Sequence, residues 1–558
     1  MPKMTCLRTA RFLVTRHDEF VEHPDIFLET WFETINKHHI TNFLSKLSEV
    51  EIKSKEKSTF VNYVSTLRLY EAALKYCGNE DSLSDENFAL NLFKAYLILN
   101  TQQNENEDNF QTRVELIKQD VYMSRVYMFL KQYTYQDLNN FNFKNVFAAT
   151  IIKSIEFFLF LENNYKNYLD IFYKEANVTD WRIYLTWLLL PIMKIMESGD
   201  NYKGIDINEN AQPEVLENIL KSIILSDVDL PEEDFTKLKS KPLIDEGDGK
   251  YLIVHNKFYL ESIFRGVYFT ILKKIDKKDG NNFMTTISNE FSEKRLLCNI
   301  LNDCFNNKAN YVSYSEELLK EEFRKVNKSE DGLPDYFLKS DNSCFVFESK
   351  DVFIKKEIKG TEHPSLLVNS FQEKFLFYHD KTGKAVDVGI RQLRNNIRRI
   401  LTKEYPASLL SNDFKKIFPI LIVHDVSFSC LGFTQLLNRW HLNEIEKIKN
   451  DGIDITSVQP LVVIDIDALI LLKEGIEKGH LNFQDSLEKY IYSVSQPMLT
   501  QEDLYRVMES FRTFVLNFAS ENKVQIFPKE SISRYTPELF SNNKSNQSPD
   551  RRKELLVR

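Results

Sequence analysis

Apolar residues recur at three- and four-residue spacing through the first hundred positions, in PDIFLETWFETINKHHITNFLSKL and KSTFVNYVSTLRLYEAALKY, which predicts amphipathic helices. Residues 102–108 (QQNENED) interrupt the pattern and read as a polar linker or loop. Helical spacing resumes over about 110–196, dense in aromatics around IEFFLFLENNYKNYLDIFY, where core packing is a better account than base stacking. Residues 199–212 and 230–249, carrying Gly, Pro and charge, read as irregular connections. A strand-like KYLIVH, a helix over 259–274 and the charged break DKKDGNN follow, then a helix over 283–305. The runs FPILIVHD (418–425) and PLVVIDIDALILL (460–472) read as buried, β-branched strands. Beyond Asn482 the spacing is helical through 519, and the end of the chain, SNNKSNQSPDRRKELLVR, has the composition of a mobile tail.

One stretch, LPDYFLKSDNSCFVFESKD (333–351), switches from a helical period to strict alternation. Asp335, Phe337 and Lys339 share one side of a first strand, and Cys344, Val346, Glu348 and Lys350 share one side of a second. Asp and Asn tolerate the left-handed backbone of a two-residue turn, so the chain is expected to reverse at Asp341-Asn342. Ser340 then faces Ser343, and Asp335 comes opposite Glu348, with Cβ atoms roughly 4.5–5.5 Å apart. Two carboxylates that close repel, and a hard divalent cation removes the conflict. Lys350, two residues along, is placed to orient or deprotonate a water, or to stabilise charge growing on a phosphate. Metal-assisted phosphodiester hydrolysis uses all three residues.

Pro334-Asp335 and Glu348-Ser349-Lys350, in this strand context, resemble the PD-(D/E)XK nuclease superfamily. The resemblance implies a restriction-endonuclease-like αβββαβ core with helical additions, which with the large all-helical N-terminal region that the spacing predicts makes the fold α+β. It implies that Asp335, Glu348 and the Ser349 backbone carbonyl bind Mg²⁺, with Mn²⁺ able to substitute, while Lys350 positions the nucleophilic water. Family members carry an acid on a helix before the hairpin. Glu293 in FSEKRLL, beside Leu296, Leu297 and Ile300, resembles it as a ligand or outer contact, and Glu290 is the alternate. Residues 351–389 read as a basic and aromatic insertion. The helix GIRQLRNNIRRIL then sets Ile390, Leu393, Ile397 and Leu401 on one stripe and Arg391, Arg394 and Arg398 on the next, suited to phosphates. Gln392 resembles a glutamine that some branches of the family carry there. The expected division is 1–246, a helical region for recognition or partner binding; 247–282, a connecting segment; 283–482, the nuclease-like domain; 483–540, a helical segment; and 541–558, the tail.

Composition narrows the picture further. The chain, at 558 residues and 43% hydrophobic, is long enough for two or three domains with their own cores. It has no run of about 18 apolar residues and no evident secretory signal, so cytoplasmic residence and no membrane partner are expected. Six cysteines without CxxC spacing read as reduced thiols, and His38-His39 lacks a ligand partner at metal spacing. The net charge of −9 hides an asymmetry, since 350–416 carries 14 Lys and Arg against 8 Asp and Glu. VVIDIDALI resembles the first motif of haloacid-dehalogenase-type phosphatases, with Asp465 as nucleophile and Asp467 as acid/base on one strand face. That fold begins with this strand, whereas here 91 residues follow Asp467, and Leu469 stands where Thr or Val is preferred. GxxxxGK[ST], GxSxG and HExxH do not occur. The expected function is a Mg²⁺-dependent endonuclease acting on DNA, with RNA as the other substrate, in restriction or anti-phage defence, as a homodimer or with a partner protein. The alternative is a catalytically silent nuclease fold kept as a nucleic-acid- or protein-binding module.

Overall fold

Cys344, Phe345, Val346 and Phe347 are all fully buried, because the strand that holds them lies mid-sheet and is covered on both faces. A computed structural model describes residues 3–31, 37–54, 60–78, 85–117, 120–138, 142–198, 204–210, 212–225, 234–306, 308–340, 342–410 and 414–540. Its five-stranded sheet comprises β1 (Val312–Ser315), β2 (Tyr336–Lys339), β3 (Ser343–Lys350), β4 (Lys416–Val423) and β5 (Val462–Asp465), in the order β5-β4-β3-β2-β1. The first three strands form an antiparallel meander; β4 and β5 continue it in parallel. Tyr336 faces Phe347 and Lys339 faces Cys344. The Ser340 N–H donates to the Ser343 carbonyl at 2.8 Å, so the hairpin turns at the two positions that the alternation predicts, Asp341 itself lying outside the described residues.

One face of the sheet presents Phe337, Cys344, Val346, Leu421, Val423 and Val463. Ile390, Leu393 and Ile397 of the helix Ile390–Leu401, with Phe433, Leu436 and Leu437 of the helix Phe433–Asn450, cover it. On the other face the Phe345 ring stacks on Phe418 at 4.9 Å, and Phe483 packs against Phe345 and Phe347. A helical run of three pieces, Lys277–Thr286, Ile287–Leu297 and Cys298–Phe305, leads into β1, and its middle piece is π-helical.

The chain divides into two units that are not contiguous in sequence: Met1–Asn109 with Asn167–Ile271, and Phe110–Lys166 with Leu272–Arg558. The first is helical, with the helices Lys3–Thr15 and Tyr63–Tyr76 packed together, but it also holds an antiparallel sheet of Gly204–Asp206, Lys250–Ile253 and Leu243–Gly247. The all-helical reading of 1–246 is therefore corrected, and part of what read as irregular connection is strand. The second unit contains the five-stranded sheet. It includes Phe110–Lys166 and the helical segment after Asn482, whose Phe483 is part of the sheet's cover.

Other expectations also change. QQNENED lies inside the helix Asp85–Leu116, since Gln, Glu and Asn break no helix and Gln103 donates to Glu107 one turn on at 2.8 Å. Residues 247–282 are strand and helix rather than a connection, and DKKDGNN falls largely within the helix Lys277–Thr286. Of PLVVIDIDALILL only Val462–Asp465 is strand. The Asp465 carboxylate accepts from the Ala468 N–H at 3.1 Å and starts the helix Ile466–Glu477. Asp465 is bound by Arg512 at 2.6 Å and Asp467 by Lys153 at 2.6 Å, so the two do not share a strand face and the phosphatase reading loses its geometry. The His38 and His39 side chains and the tail 541–558 lie outside the described residues. Among the described residues no helix is long and apolar enough to cross a membrane.

Candidate active site

The register of β2 and β3, carried one step outward from Tyr336–Phe347, brings Asp335 opposite Glu348. Because Ser340 and Ser343 form a hydrogen-bonded pair, the backbones of Phe345, Phe347 and Ser349 face β2, while those of Glu348 and Lys350 face β4. The Ser349 N–H reaches past the start of β2 and donates to Asp335 Oδ2 at 2.6 Å. N–H and C=O of one strand residue share a direction, which puts the Ser349 carbonyl on the β2 side of the strand as well. The Ser349 hydroxyl lies on the opposite face, 2.9 Å from His424 Nε2.

Lys350 Nζ donates to Glu348 Oε1 at 2.7 Å. Glu348 is only 2% exposed, and its other oxygen, Oε2, is buried without a hydrogen-bond partner. Such an atom is costly unless something binds it. Asp335 and Glu348 line one pocket with Lys350, Glu293 and Gln392, together with Asn289, Glu290, Lys294, Glu316, Lys320, Gly332 and Leu333. Among the described residues Leu333 is its one aliphatic wall residue and no aromatic ring lines it.

Glu293 comes from the π-helical piece Ile287–Leu297, which buries Phe291, Ser292, Leu296 and Leu297. π-Turns carry an extra residue and recur at functional sites. Here the neighbouring Ser292 hydroxyl donates to Asp351 Oδ2 at 2.6 Å, at the end of β3. Glu290, the alternate acid, stands at the mouth and is paired with Lys294 at 3.2 Å.

Burial and crowding push the acids upward. Burial first, then repulsion from Asp335, raises the Glu293 carboxyl to about 9, against the pull of Lys350. The same causes raise Glu348 to about 8. Burial also raises Asp335, opposed by Lys350 and the Ser349 N–H. For Lys350, burial favours the neutral amine but is outweighed by Glu348, Asp335 and Glu293, which hold it above its ordinary value as a cation.

This donor set fits a hard divalent cation: carboxylate oxygens of Asp335 and Glu348, one of them unpartnered, a nearby carbonyl, and Glu293 across the pocket. Among the described residues no three of His, Cys, Asp and Glu are already gathered as a metal cage. Two carboxylates completed by water and substrate oxygens are the usual arrangement for Mg²⁺.

Of the basic helix Ile390–Leu401, the pocket takes only Gln392, whose Oε1 accepts from the Gly389 N–H at 2.7 Å. Arg394 binds Glu444 at 2.9 Å and Asp387 at 3.2 Å, and Arg391 binds the same two acids at 3.3 Å. Arg398 pairs with Asp451 at 3.0 Å. The stripe expected for phosphates is thus committed to ion pairs away from the pocket. Glu316, Lys320 and Lys294 were missed by sequence reasoning. Ser315-Glu316-Glu317-Leu318 does carry a helix-start signal, and Ser315 caps the helix Glu316–Lys325 there, but nothing local ties that helix to the hairpin. No protein-family model, no curated protein and no solved structure matches the chain.

Proposed function

We propose that the chain is a Mg²⁺-dependent nuclease of the PD-(D/E)XK type, cleaving phosphodiester bonds of DNA. One observation carries the proposal: Asp335, Glu348 and Lys350 converge on one buried spot, with a carboxylate oxygen of Glu348 left unpartnered. The order of elements supports it, since a helix, the strands β1, β2 and β3, the helix Ile390–Leu401 and the parallel strand β4 come in that order between Lys277 and Val423, with the helix Glu316–Lys325 inserted after β1 and the helices Lys356–Lys359 and Pro364–Phe375 and a short hairpin inserted after β3.

Asp335, Glu348 and the Ser349 carbonyl would hold the cation, with Glu293 as a further ligand or an outer contact. When bound, the cation supplies Lewis-acid polarisation of the scissile phosphate and lowers the pKa of water. Lys350, kept charged by its acid neighbours, orients the attacking water and stabilises charge on the phosphate oxygens. Water oxygen attacks phosphorus and gives up a proton to solvent, the bond to the leaving oxygen breaks, and that oxygen takes up a proton from solvent. A role in restriction or anti-phage defence follows from the family's habits alone.

The test incubates purified protein with supercoiled plasmid, linear DNA and single-stranded RNA, in Mg²⁺, Mn²⁺ or EDTA, beside Lys350→Ala. Metal-dependent cleavage that disappears in the variant is expected, and the cleaved polymer identifies the substrate. Failure to cleave any of them, with no calorimetric binding of Mg²⁺ or Mn²⁺ at millimolar metal, points instead to a silent binding module.

A further inference from the structure

Where the phosphate backbone enters the pocket is not explained by the arginine helix, of which Gln392 lines the pocket and Arg391, Arg394 and Arg398 do not. Two other cations stand at the mouth. Lys294 is 38% exposed and lies 3.2 Å from Glu290; Lys320 is 30% exposed and lies 2.6 Å from Glu316. Lys294 also comes within 3.8 Å of Glu317, so the π-helical piece and the helix Glu316–Lys325 meet there and their ammonium groups share one rim. Lys350, at 15%, lies deeper in the same pocket.

We infer that Lys294 and Lys320 form the rim that grips the phosphodiester backbone beside the scissile bond, parked on Glu290 and Glu316 until a substrate arrives. The inference rests on the nuclease reading, and its chemistry is that of helix ion pairs between residues four apart, Lys294–Glu290 exposed and Lys320–Glu316 half-buried. Such pairs are weakly held and screened by salt, so a phosphate can compete for the lysine. An ammonium group has three donors, and one carboxylate oxygen does not use them all. The pocket's acid excess opposes a polyanion when empty. A cation on Asp335 and Glu348 lowers that excess and leaves the rim lysines the nearest partners for a phosphate. With no aromatic side chain in the lining, the ligand recognised is the backbone rather than an unstacked base.

The test uses the full chain and a Lys294→Gln, Lys320→Gln double variant, with a fluorescent DNA duplex titrated in Ca²⁺ across a series of salt concentrations. Metal binding is measured separately by calorimetry without DNA. Loss of two phosphate contacts is expected to lower the slope of log affinity against log salt by about 1.8 and to weaken binding at low salt on the order of tenfold or more. Divalent-metal binding should be retained, no weaker than in the parent, and the melting temperature should stay at the parental value. An unchanged slope and affinity in a variant that still binds metal overturns the rim while leaving the nuclease reading standing. Absence of divalent-metal binding in the parent removes that reading, and the rim falls with it. A single Lys320→Glu variant, which puts a negative charge where the phosphate would lie, should cost more affinity than Lys320→Gln; equal loss counts against a direct phosphate contact.

Discussion

At Glu348 a single side chain concentrates the tension of the pocket: one oxygen bound by Lys350 at 2.7 Å, the other buried and unpartnered. Its carboxyl is raised to about 8 and that of Glu293 to about 9, against an ordinary 4.5. Between those values the folded chain holds protons that the unfolded chain has released. The stability from this protonation is complete below about pH 4.5 and is lost as pH rises through 8 to 9. Metal-free protein should therefore melt at a lower temperature at pH 9 than at pH 6, and Glu293→Gln should flatten the dependence. Equal slopes in variant and parent would sink that assignment. Glu348→Ala is expected to remove divalent-metal binding in calorimetry, because it takes away both oxygens at once. The site's floor was legible in the sequence, since strand alternation is short-range and a two-residue turn sets the register of Asp335 and Glu348. Its walls were not, because Glu316, Lys294 and Lys320 arrive from elements whose packing no local pattern states.

Elements were legible where one period dominated. The strand β4 was read correctly despite Pro419, and the structure shows why a proline is tolerated mid-sheet. Ile417 turns its backbone toward Ser457 and Gln459, so the missing N–H of Pro419 faces the same side, in the gap between the Ile417–Val458 bridge and the ladder that begins at Val462–Ile420. The run 460–472 was misread because a buried strand and a buried helix look alike over so few residues; the cap at Asp465 decides between them. The helix Ile390–Leu401 starts at Gly389, with φ +47°, where an added Cβ would stand 2.7 Å from the Phe375 carbonyl oxygen. Gly389→Ala should cost about 2 kcal/mol or more in chemical denaturation, through strain and this clash. Arg394→Ala should cost about 2 kcal/mol by breaking its bonds to Glu444 and Asp387, yet leave duplex affinity in Ca²⁺ unchanged. A tenfold loss of affinity would restore that arginine to the substrate surface.

For the molecule as a whole, the division expected near residue 246 does not describe how the chain packs. Phe157 and Phe160 set their rings 5.1 Å and 5.5 Å from Phe291, and Glu156 binds Arg295 at 2.8 Å, so Phe110–Lys166 is built into the unit that holds the sheet. A fragment beginning at residue 272 should therefore be insoluble or molten, whereas adding 110–166 in trans should recover cooperative unfolding by circular dichroism. Such long-range stitching leaves no mark in periodicity or composition. The pocket's charge also acts at this scale. Five lining acids, Glu290, Glu293, Glu316, Asp335 and Glu348, face three lysines, Lys294, Lys320 and Lys350. DNA binding should thus be absent in EDTA and restored by Ca²⁺, and metal-independent binding of equal strength would count against a polyanion entering here.

The π-helical piece adds a consequence of its own. An α-helix turns its residues by about 100° each and a π-helix by less, so a π-helical stretch is a mechanical phase shifter between the two ends of the run. Within that piece Glu293 lines the pocket; beyond it, Cys298, Ile300 and Leu301 are buried in the core. Deleting one residue between them removes a paired charge, Lys294 or Arg295, or a buried leucine, Leu296 or Leu297, and beyond that loss swings one end out of phase with the other. The acid's bearing is thus held by arithmetic along the chain, and a frame of one residue separates a loaded pocket from an empty wall.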